Sequence, residues 1–418
     1  MKPIKKLKFI DLFAGCGGLS EGFLQTKKFN GIAHIEWELP MIQTLRNRLV
    51  SHWSHTTNEA NKKVVYFDMQ KTEELLNGNW SESSHKNYES NNHRSIVSGG
   101  LRGLIKREKI DVIVGGPPCQ AYSIHGRAKD KCSMQNDYRN YLFEGFVKIV
   151  NEFRPEVFVF ENVPGILTAK PGGIAITRRI YDAFLKIGYN IPKPNELRKA
   201  VFEASNFNVP QIRKRVLIIG IKKKSRYFLE DFYKCIQKKQ EKNKKTVEDA
   251  ISFLPRILPL KKSIKIKGKN VSHISEGVNV LQHTPRYNNS RDVKIFRLWV
   301  EHAMNYISHK EKIDFYYKMT KKKTLYSKYR SLEWKKQAYT IVAHLEKDGL
   351  MFIHPDPEQA RSITIREAAL LMTFPIDYQF FGSNAYCYKM IGNAVPVNFA
   401  KLIGDAIYEV INKQRVSK

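Results

Sequence analysis

Short apolar runs that alternate with amphipathic stretches constrain the fold of this chain most strongly. A strand that is apolar along its whole length must be buried on both faces, and helices cover both faces mainly of parallel sheets. Two of the intervening stretches, 141–153 and 174–188, have the apolar spacing of an amphipathic helix. The sequence therefore predicts an α/β fold in which helices cover both faces of a parallel sheet. The six predicted strands lie in 8–15, 31–37, 64–69, 110–118, 155–165 and 215–221.

The character of the sequence changes after Ile221. Lysines become dense, aromatic residues lie among them, and the alternation of strands and helices stops. The α/β pattern returns in 362–374 and in the helical stretch 397–413. We therefore predict two domains and, in the first of them, a polar surface insertion. The predicted boundaries are 1–221 with 385–418 for the α/β domain, 222–355 for the basic domain, 356–384 for a connecting motif, and 77–100 for the insertion.

The chain carries a large excess of positive charge. It contains 71 Lys and Arg against 40 Asp and Glu, which gives a formal net charge of +31. No fold requires such an excess, whereas a protein that binds a polyanion gains free energy from the counterions that its cations release. A lysine-rich surface inherited from an AT-rich genome is the alternative explanation. Charge by itself therefore only favours nucleic acid as a partner.

The cysteines and the N-terminus indicate where such a protein works. The five cysteines form no CxxC pair and no cluster with zinc-ligand spacing, which favours a reducing intracellular compartment. The basic N-terminus reaches Asp11 before any long apolar run, so it is unlike a signal peptide. No stretch approaches the ~18 consecutive apolar residues of a membrane span. We expect a soluble protein that does not act at a membrane.

A glycine turn follows the first predicted strand. Residues 13–18, Phe-Ala-Gly-Cys-Gly-Gly, lie before a helical stretch, where glycines let a ligand approach the backbone and free N–H groups bind an anion. Glu36 and Asp68 end the next two strands. The carboxylate of Glu36 is placed to bind ribose hydroxyls, and that of Asp68 to accept a hydrogen bond from an adenine amino group. Each feature alone fits an ordinary turn or loop carboxylate equally well, but together they predict a nucleoside site.

Two further strands end in chemically distinctive residues. Cys119 follows Gly-Gly-Pro-Pro at the exit of a buried strand, and ligands of such folds bind at that edge of the sheet. A structural cysteine would more often lie within the apolar run, so Cys119 is a candidate nucleophile. Glu161 ends the following strand before Asn-Val-Pro-Gly and is a candidate acid, or simply a solvated carboxylate.

Alternate polar residues lead into the last predicted strand of the sheet. Gln211, Arg213 and Arg215 share one face if 211–215 is extended. Charges entering a buried strand are costly unless they meet anions or acceptors. This face is therefore a second candidate binding surface, and a solvated sheet edge is the alternative.

Six segments together resemble the ordered motifs of the C5-cytosine DNA methyltransferase family. The resemblance extends from about residue 8 to about residue 412 and leaves out only the polar insertion and most of 222–330. It implies an S-adenosylmethionine-dependent, Rossmann-like methyltransferase sheet with a second, smaller, basic target-recognition domain. The six segments, in order, are FIDLFAGCGGLSEGF, GGPPCQ, ENVPG, QIRKRV, RSITIREAALLMTFP and IGNAVPVNFA.

The resemblance also implies the site residues. Cys119 would be the nucleophile, Glu161 would bond N3 and the amino group of cytosine, and Arg215 would contact O2. Arg213 would support a phosphate or the catalytic loop. The residues implied for the S-adenosylmethionine pocket are Phe13, Cys16, Gly18, Glu36, Trp37, Asp68, Met69, Pro117, Leu142, Asn393 and Val395. Cys16 and the Ala121-Tyr122 pair depart from residues that are common in the family, without affecting the chemistry.

The implied reaction is methylation of cytosine at carbon 5. Addition of the Cys119 thiolate to C6 would make C5 nucleophilic, and this requires the base to be flipped out of the duplex. We expect the segment 121–138 to close over the flipped base, and the chemistry requires no metal. The expected partner is double-stranded DNA, with a monomer as the default and a restriction endonuclease as the genetic partner.

Three alternatives follow from the same residues. An RNA methyltransferase could use the same cysteine, although the long basic segment 222–355 favours a duplex. A DNA-binding subunit without activity would have little reason to keep Cys119, Glu161 and the two arginines. An amino-group methyltransferase would need a polar residue followed by Pro-Pro and an aromatic residue, whereas this chain has Gly-Pro-Pro-Cys at 116–119.

Overall fold

The structure, a computed structural model, describes residues 5–89, 99–118 and 142–416 of the chain. Its residues fall into two units, which we call the first unit and the second unit. The first unit consists of Met1–Phe207, Arg213–Lys242 and Ala394–Lys418, and the second of Asn208–Ile212 and Asn243–Asn393. The predicted closing segment 121–138 and Cys119 lie outside the described residues.

An eight-stranded sheet forms the centre of the first unit. Strands β1 to β5 are parallel where they pair, and β1 lies between β2 and β4. The order across the sheet is β3-β2-β1-β4-β5-β8-β6, with β7 also paired to β8. The strands are β1 (Leu7–Leu12), β2 (Phe29–Glu36), β3 (Val64–Tyr66), β4 (Val112–Gly115), β5 (Val157–Asn162), β6 (Tyr189–Asn190), β7 (Val201–Glu203) and β8 (Lys214–Lys222).

The predicted parallel sheet has antiparallel pairing at one side, around β8. Strand β8 runs antiparallel to β5, and β6 and β7 run antiparallel to β8. An apolar run shows that a strand is buried but not its direction. Here the short strand β7 and the turn after it reverse the chain before β8, which therefore enters the sheet antiparallel to β5. The mixed, mainly parallel α/β sheet otherwise agrees with the prediction.

Helices connect the strands of the first unit. Helix α7 shows why they form, because seven of its residues are buried, among them Phe146 and Val150, while Glu144 and Lys148 are exposed. The helices are α1 (Gly18–Gln25), α2 (Leu39–Ser51), α3 (Thr57–Lys63), α4 (Thr72–Asn77), α5 (Glu82–Tyr88), α6 (Gly100–Ile105), α7 (Leu142–Phe153), α8 (Ile176–Lys186) and α9 (Leu229–Lys238). A last helix, which we number α15, spans Val397–Val416.

The described part of the predicted polar insertion packs on the core. Helix α5 lies within it, and the ring centroid of Trp80 is 4.9 Å from that of Phe67. Tyr88 makes a second ring contact with Phe67, also at 4.9 Å. The polar composition of this stretch gave no indication of these two ring contacts. They hold the short helix α5 against the first unit.

The main part of the second unit, Asn243–Asn393, begins further along the chain than the predicted boundary at 222, and the short segment Asn208–Ile212 before that boundary also belongs to this unit. Helix α9 remains in the first unit, where Cys235 Sγ donates to Glu409 of α15 and Lys239 forms an ion pair with the same carboxylate. The lysine-rich composition of this stretch gave no indication of these contacts. Residues 356–384, predicted as a connecting motif, and 385–393, predicted to belong to the α/β domain, both lie in the second unit.

The second unit combines a two-stranded ribbon with helices. A buried ion pair stabilises it: both Arg361 Nη1 and Nη2 lie 2.7 Å from Glu367 oxygens, and Arg361 lowers the pKa of that carboxyl although burial alone would raise it. Its elements are β9 (Ile257–Ile266), β10 (Lys269–Ser275), α10 (Val247–Ile251), α11 (Ser290–Glu301), α12 (His309–Thr320), α13 (Ile365–Leu371) and α14 (Asn384–Asn393). Among the described residues of both units, no helix is both long and apolar enough to cross a membrane.

Candidate active site

The glycine turn after β1 has an unusual backbone. Phe13 has φ of 60°, and Gly15 and Gly17 have φ of 57° and 91°. A positive φ is strained for a phenylalanine, and such strain is concentrated at ligand sites. The turn directs the Gly15 N–H at Glu36 Oε2, 2.8 Å away. This hydrogen bond joins the turn after β1 to the end of β2.

Glu36 is held firmly at the end of β2. Its Oε1 accepts from the backbone N–H of Trp37 at 2.8 Å and from that of Glu38 at 3.0 Å. The side chain is only 7% exposed, and burial raises the pKa of its carboxyl to about 7. These three N–H bonds fix the orientation of the carboxylate and leave about one of its roughly four lone pairs for a further donor.

The surroundings of Glu36 fit the ribose and adenine of a nucleoside. The Trp37 side chain is 44% exposed, so its ring is available for stacking. Met69 is buried, and Asp68 is partly exposed with its carboxylate held by the backbone and side chain of Gln70. A carboxylate with a free lone pair and an exposed aromatic ring are the groups that a nucleoside requires.

We expect the affinity for S-adenosylmethionine to rise about tenfold between about pH 6 and about pH 8. A ribose hydroxyl would donate to the ionised form of Glu36, and a pKa near 7 leaves this form scarce at the lower pH. Calorimetric titration at several pH values measures the effect. Glu36→Gln should bind more weakly and independently of pH.

Asp11→Asn is the matched control for this experiment, because burial raises the pKa of Asp11 to about 7 as well. The pH dependence should survive in this variant. Its survival in Glu36→Gln instead would show that another group titrates.

Other residues implied for the cofactor pocket lie in several parts of the chain. The structure places Gly18 directly against Val395, since a Cβ on Gly18 would lie 2.3 Å from the Val395 carbonyl oxygen. Met69 and Leu142 belong to one hydrophobic cluster, and Phe13 packs against it. The remaining three are buried Cys16, Pro117 after β4, and Asn393, an exposed residue that ends α14 in the second unit.

The segment before Cys119 is described as far as Pro118. Strand β4 is buried throughout, and Gly116 follows it. The Asn162 side-chain amide, at the end of β5, donates to the Pro117 carbonyl oxygen at 3.2 Å. This bond joins the exit of β4 to the strand that carries Glu161.

Glu161 and Arg215 form a close ion pair. Arg215 Nε lies 2.6 Å from Glu161 Oε1, and the two side chains are about 9% and 10% exposed. Glu161 lies in β5 opposite Leu217 of β8, so the antiparallel register brings Arg215 to the same end of the sheet. No N–H of a described residue points at Oε1 with good hydrogen-bond geometry. Charge therefore holds the carboxyl group beside Arg215 at this end of the sheet.

The polar residues that lead into β8 are buried as the alternating pattern predicts. Gln211, Arg213 and Arg215 are at most 8% exposed, whereas Ile212 is 44% exposed. Arg213 Nη2 donates to the Ala394 carbonyl oxygen at 2.9 Å. Arg213 thus contacts the backbone next to Val395, whereas Arg215 contacts the carboxylate.

Gly116 lies against a predicted site residue, although its place in the motif assigned it no role. A Cβ on this residue would lie 2.4 Å from Glu161 Oε2. Asn162 is a second such residue. Both stand beside a predicted site residue in the motifs, but which contacts they make depends on how β4 and β5 pair.

We expect Gly116→Ala to lower kcat by about 10-fold to 100-fold with little change in the melting temperature, because the methyl group must displace the Glu161 carboxylate. Single-turnover methylation of duplex DNA, with thermal unfolding in parallel, measures both. The atom that the new Cβ would meet is at the far end of the Glu161 side chain, so the displacement should not disrupt the fold. Unchanged kcat would show that the position of Oε2 is unimportant for the reaction.

A buried polar network lies behind the glycine turn. Ser20 Oγ donates to Asp11 Oδ2 at 2.5 Å and lies 2.6 Å from His34 Nδ1. All three side chains are fully buried, and burial lowers the pKa of His34 to about 3, so its ring is neutral. The network connects β1, α1 and β2, the elements on either side of the turn. The spacing of the three residues gave no indication of it.

The family of this chain follows from its similarity to known proteins. The sequence profile of the family described as C-5 cytosine-specific DNA methylase matches residues 7–78 and 64–409. This chain belongs to that family. The methylase is 34% identical over 446 residues to the type II methyltransferase M.Bpa9945I of Bacillus paralicheniformis, an alignment that covers 96% of this chain and 99% of the relative.

Solved structures with the same fold span nearly the whole methylase. A putative DNA modification methyltransferase encoded within a prophage of E. coli has a TM-score of 0.62 at 24% identity, covering 97% of this chain and all of the other. The Dnmt2 methyltransferase of S. pombe has a TM-score of 0.50 at 13% identity and covers 98% of this chain and 99% of the other. At these identities the likeness establishes the fold.

Proposed function

We propose that this enzyme, a DNA cytosine-5 methyltransferase by family, acts on one cytosine in a specific duplex sequence through a covalent adduct with Cys119. The observation that carries the proposal is the Glu161–Arg215 ion pair. It lies at the end of β5, and β5 pairs with β4, the strand that leads to Gly-Pro-Pro-Cys. A positioned carboxyl and guanidinium are what a pyrimidine ring undergoing attack at C6 requires.

The roles proposed for the protein groups follow from cytosine chemistry. The Cys119 thiolate forms a bond to C6, and the electron pair of the C5–C6 double bond becomes available at C5. Glu161 bonds N3 and the amino group, and Arg215 bonds O2, so that charge developing on the ring meets fixed partners. After methyl transfer, loss of the C5 proton expels Cys119 and restores the double bond.

We propose that the first unit holds S-adenosylmethionine, which supplies the methyl group when bound. Glu36 would bind the ribose, Trp37 would stack near the adenine, and Asp68 with Met69 would border its edge. Phe13, Cys16, Gly18, Pro117, Leu142 and Val395 would complete the pocket in this unit. The strained turn at Phe13 and the free lone pair of Glu36 support this assignment.

We further propose that the second unit recognises the DNA sequence and that the methylase protects DNA from a restriction endonuclease. Its type II relatives support the second point. A cytoplasmic monomer in a bacterial cell is the corresponding expectation. The excess of 71 cations over 40 anions supports DNA as the partner.

Covalent trapping tests the proposal on the unmodified enzyme. Duplex DNA of mixed sequence containing 5-fluorocytosine is incubated with S-adenosylmethionine, because fluorine in place of the C5 proton blocks the elimination. A complex that survives denaturation on this duplex is the expected result. A complex only with similarly substituted tRNA would move the activity to RNA, and no complex with either would contradict the proposal.

A further inference from the structure

An antiparallel ribbon in the second unit stands apart from any core. Strands β9 and β10 form a two-stranded sheet that pairs with no other described strand. Every residue from Lys261 to Asn270 is exposed. An isolated hairpin of this kind is marginally stable in water, so its persistence requires a firm base.

The base of the ribbon is anchored in the second unit. Ile257 is fully buried, and its N–H donates to Gln359 Oε1 at 3.0 Å. On the other strand, His273 is 3% exposed and its Nε2 lies 3.1 Å from the Gln359 carbonyl oxygen. Ser272 Oγ accepts from the Asn288 N–H at 3.0 Å. One half of the ribbon is thus fixed, and the other half projects into solvent.

The projecting half is strongly basic. The exposed residues Lys261–Asn270 include five lysines and no acidic residue. The five lysines are exposed, and none of them forms an ion pair with a described residue. The turn places a cation at the tip, because Lys267 and Gly268 have φ of 47° and 75°, as the two central residues of a tight hairpin turn do. The lysines are Lys261, Lys262, Lys265, Lys267 and Lys269.

The two faces of the ribbon differ. Paired residues share a face, so Lys265 and Asn270 lie together on one side. Ile264 pairs with Val271 on the other side, where Ile266 also lies, opposite Lys269. Ile264 and Ile266 are 45% and 48% exposed, which is costly in water and favours a partner with some apolar surface.

The shape of the ribbon fits a DNA groove. The exposed part of β9, Lys261–Ile266, extends about 20 Å at roughly 3.3 Å per residue. A major groove about 12 Å wide and about 8.5 Å deep admits a two-stranded ribbon. Thymine methyl groups in that groove offer apolar contacts, and phosphates line its edges. Like charges along both strands oppose pairing with a second copy of the ribbon.

We propose that the ribbon Ile257–Ser275 is the element that enters the major groove of the DNA substrate. Lys261 and Lys265 contact phosphates from one face, and the face with Ile264 and Ile266 turns toward base edges. Lys269 pairs with Ile266 in the last pair before the turn, and it reaches a phosphate from the end of the ribbon. The inference rests on the proposed role of the second unit in DNA recognition. The inference assigns DNA recognition to one element of that unit. The trapping experiment on the unmodified enzyme tests the methyltransferase activity separately.

The salt dependence of DNA binding tests this assignment. In Lys261→Gln/Lys265→Gln/Lys269→Gln, the slope of log K against log salt should become shallower by about three, or roughly 0.9 for each lost phosphate contact. Affinity should fall by one to two orders of magnitude at about 0.1 M salt. Fluorescence anisotropy with a target duplex measures both, and thermal unfolding checks that the fold is kept.

A charge-matched control separates the ribbon from the overall charge. Lys62, Lys186 and Lys238 are exposed lysines of the first unit, each in the last turn of a helix. Their replacement by glutamine removes the same charge and should leave the slope nearly unchanged. Equal slopes in the two triple variants, or an unchanged slope in the ribbon variant, would overturn the assignment.

Chemical protection distinguishes groove entry from contact with the backbone alone. Dimethyl sulfate modifies guanine N7 in the major groove, and the enzyme should protect guanines near its target. At saturating protein, this protection should weaken in Ile264→Ser/Ile266→Ser and persist in the control triple variant. Full protection of guanine N7 in the isoleucine variant would contradict groove entry. Binding of the enzyme to anionic phospholipid vesicles but not to DNA, with the vesicle binding lost in the lysine variant of the ribbon, would contradict it as well.

Discussion

Replacing Cys119 by alanine is expected to abolish the covalent complex with 5-fluorocytosine DNA and to lower kcat by at least about 10,000-fold. Loss of a nucleophile in covalent catalysis has effects of this size because no other group can form the intermediate. The attack requires a thiolate. Burial raises the pKa of both Cys235 and Cys387 to about 11, so these cysteines are protonated thiols at neutral pH.

Cys235→Ala is the matched control for this experiment. Cys235 lies in α9 and donates to Glu409, so its removal should leave methyl transfer and adduct formation unchanged. Denaturing electrophoresis of labelled duplex reports the adduct, and transfer of a labelled methyl group reports kcat. An adduct that persists in Cys119→Ala would assign the nucleophile to another residue.

Glu161→Gln is expected to lower kcat by about 100-fold to 1,000-fold while the affinity for DNA changes little. Removing one preorganised polar group at a developing charge costs about this much. A glutamine keeps the size of the side chain, but it cannot donate a proton and it leaves Arg215 buried without its counter-charge. Single-turnover kinetics on a target duplex separate the chemical step from binding.

Two further variants make the result specific. Glu156 precedes the other end of β5 and pairs with Lys109 and Lys222, so Glu156→Gln should have little effect on kcat. If Glu161 and Arg215 act as a unit, the effects of Glu161→Gln and Arg215→Gln will not add in the double variant. A loss below about tenfold in Glu161→Gln with an intact fold would contradict the proposed role.

The fold class of the sheet domain could be predicted from the sequence because burial is encoded in local composition. Runs such as those of β4 and β5 are apolar along their whole length, and both strands are buried throughout. The direction of β8 could not be predicted in the same way. It depends on the turn after β7, and an apolar run has the same composition in either direction.

For the candidate site, the types of residue could be predicted from the sequence, whereas their contacts could not. The chemistry of Glu36 and Glu161 could be predicted because each carboxylate lies at the end of a buried strand, and the ends of neighbouring parallel strands meet. The contacts that position these groups were not predictable. The Gly15 bond to Glu36, the Arg215 pair with Glu161 and the Asn162 bond to the Pro117 carbonyl each join residues distant in sequence.

The sequence by itself therefore determined the fold class, the family and the types of residue at the strand ends. Only the tertiary structure decided which atoms of those residues face one another, and which basic segment projects as a ribbon. The physical reason is that hydrophobic periodicity and motif order are properties of the chain read locally. Ion pairs, strand register and exposure depend instead on segments that come together only when the chain has folded.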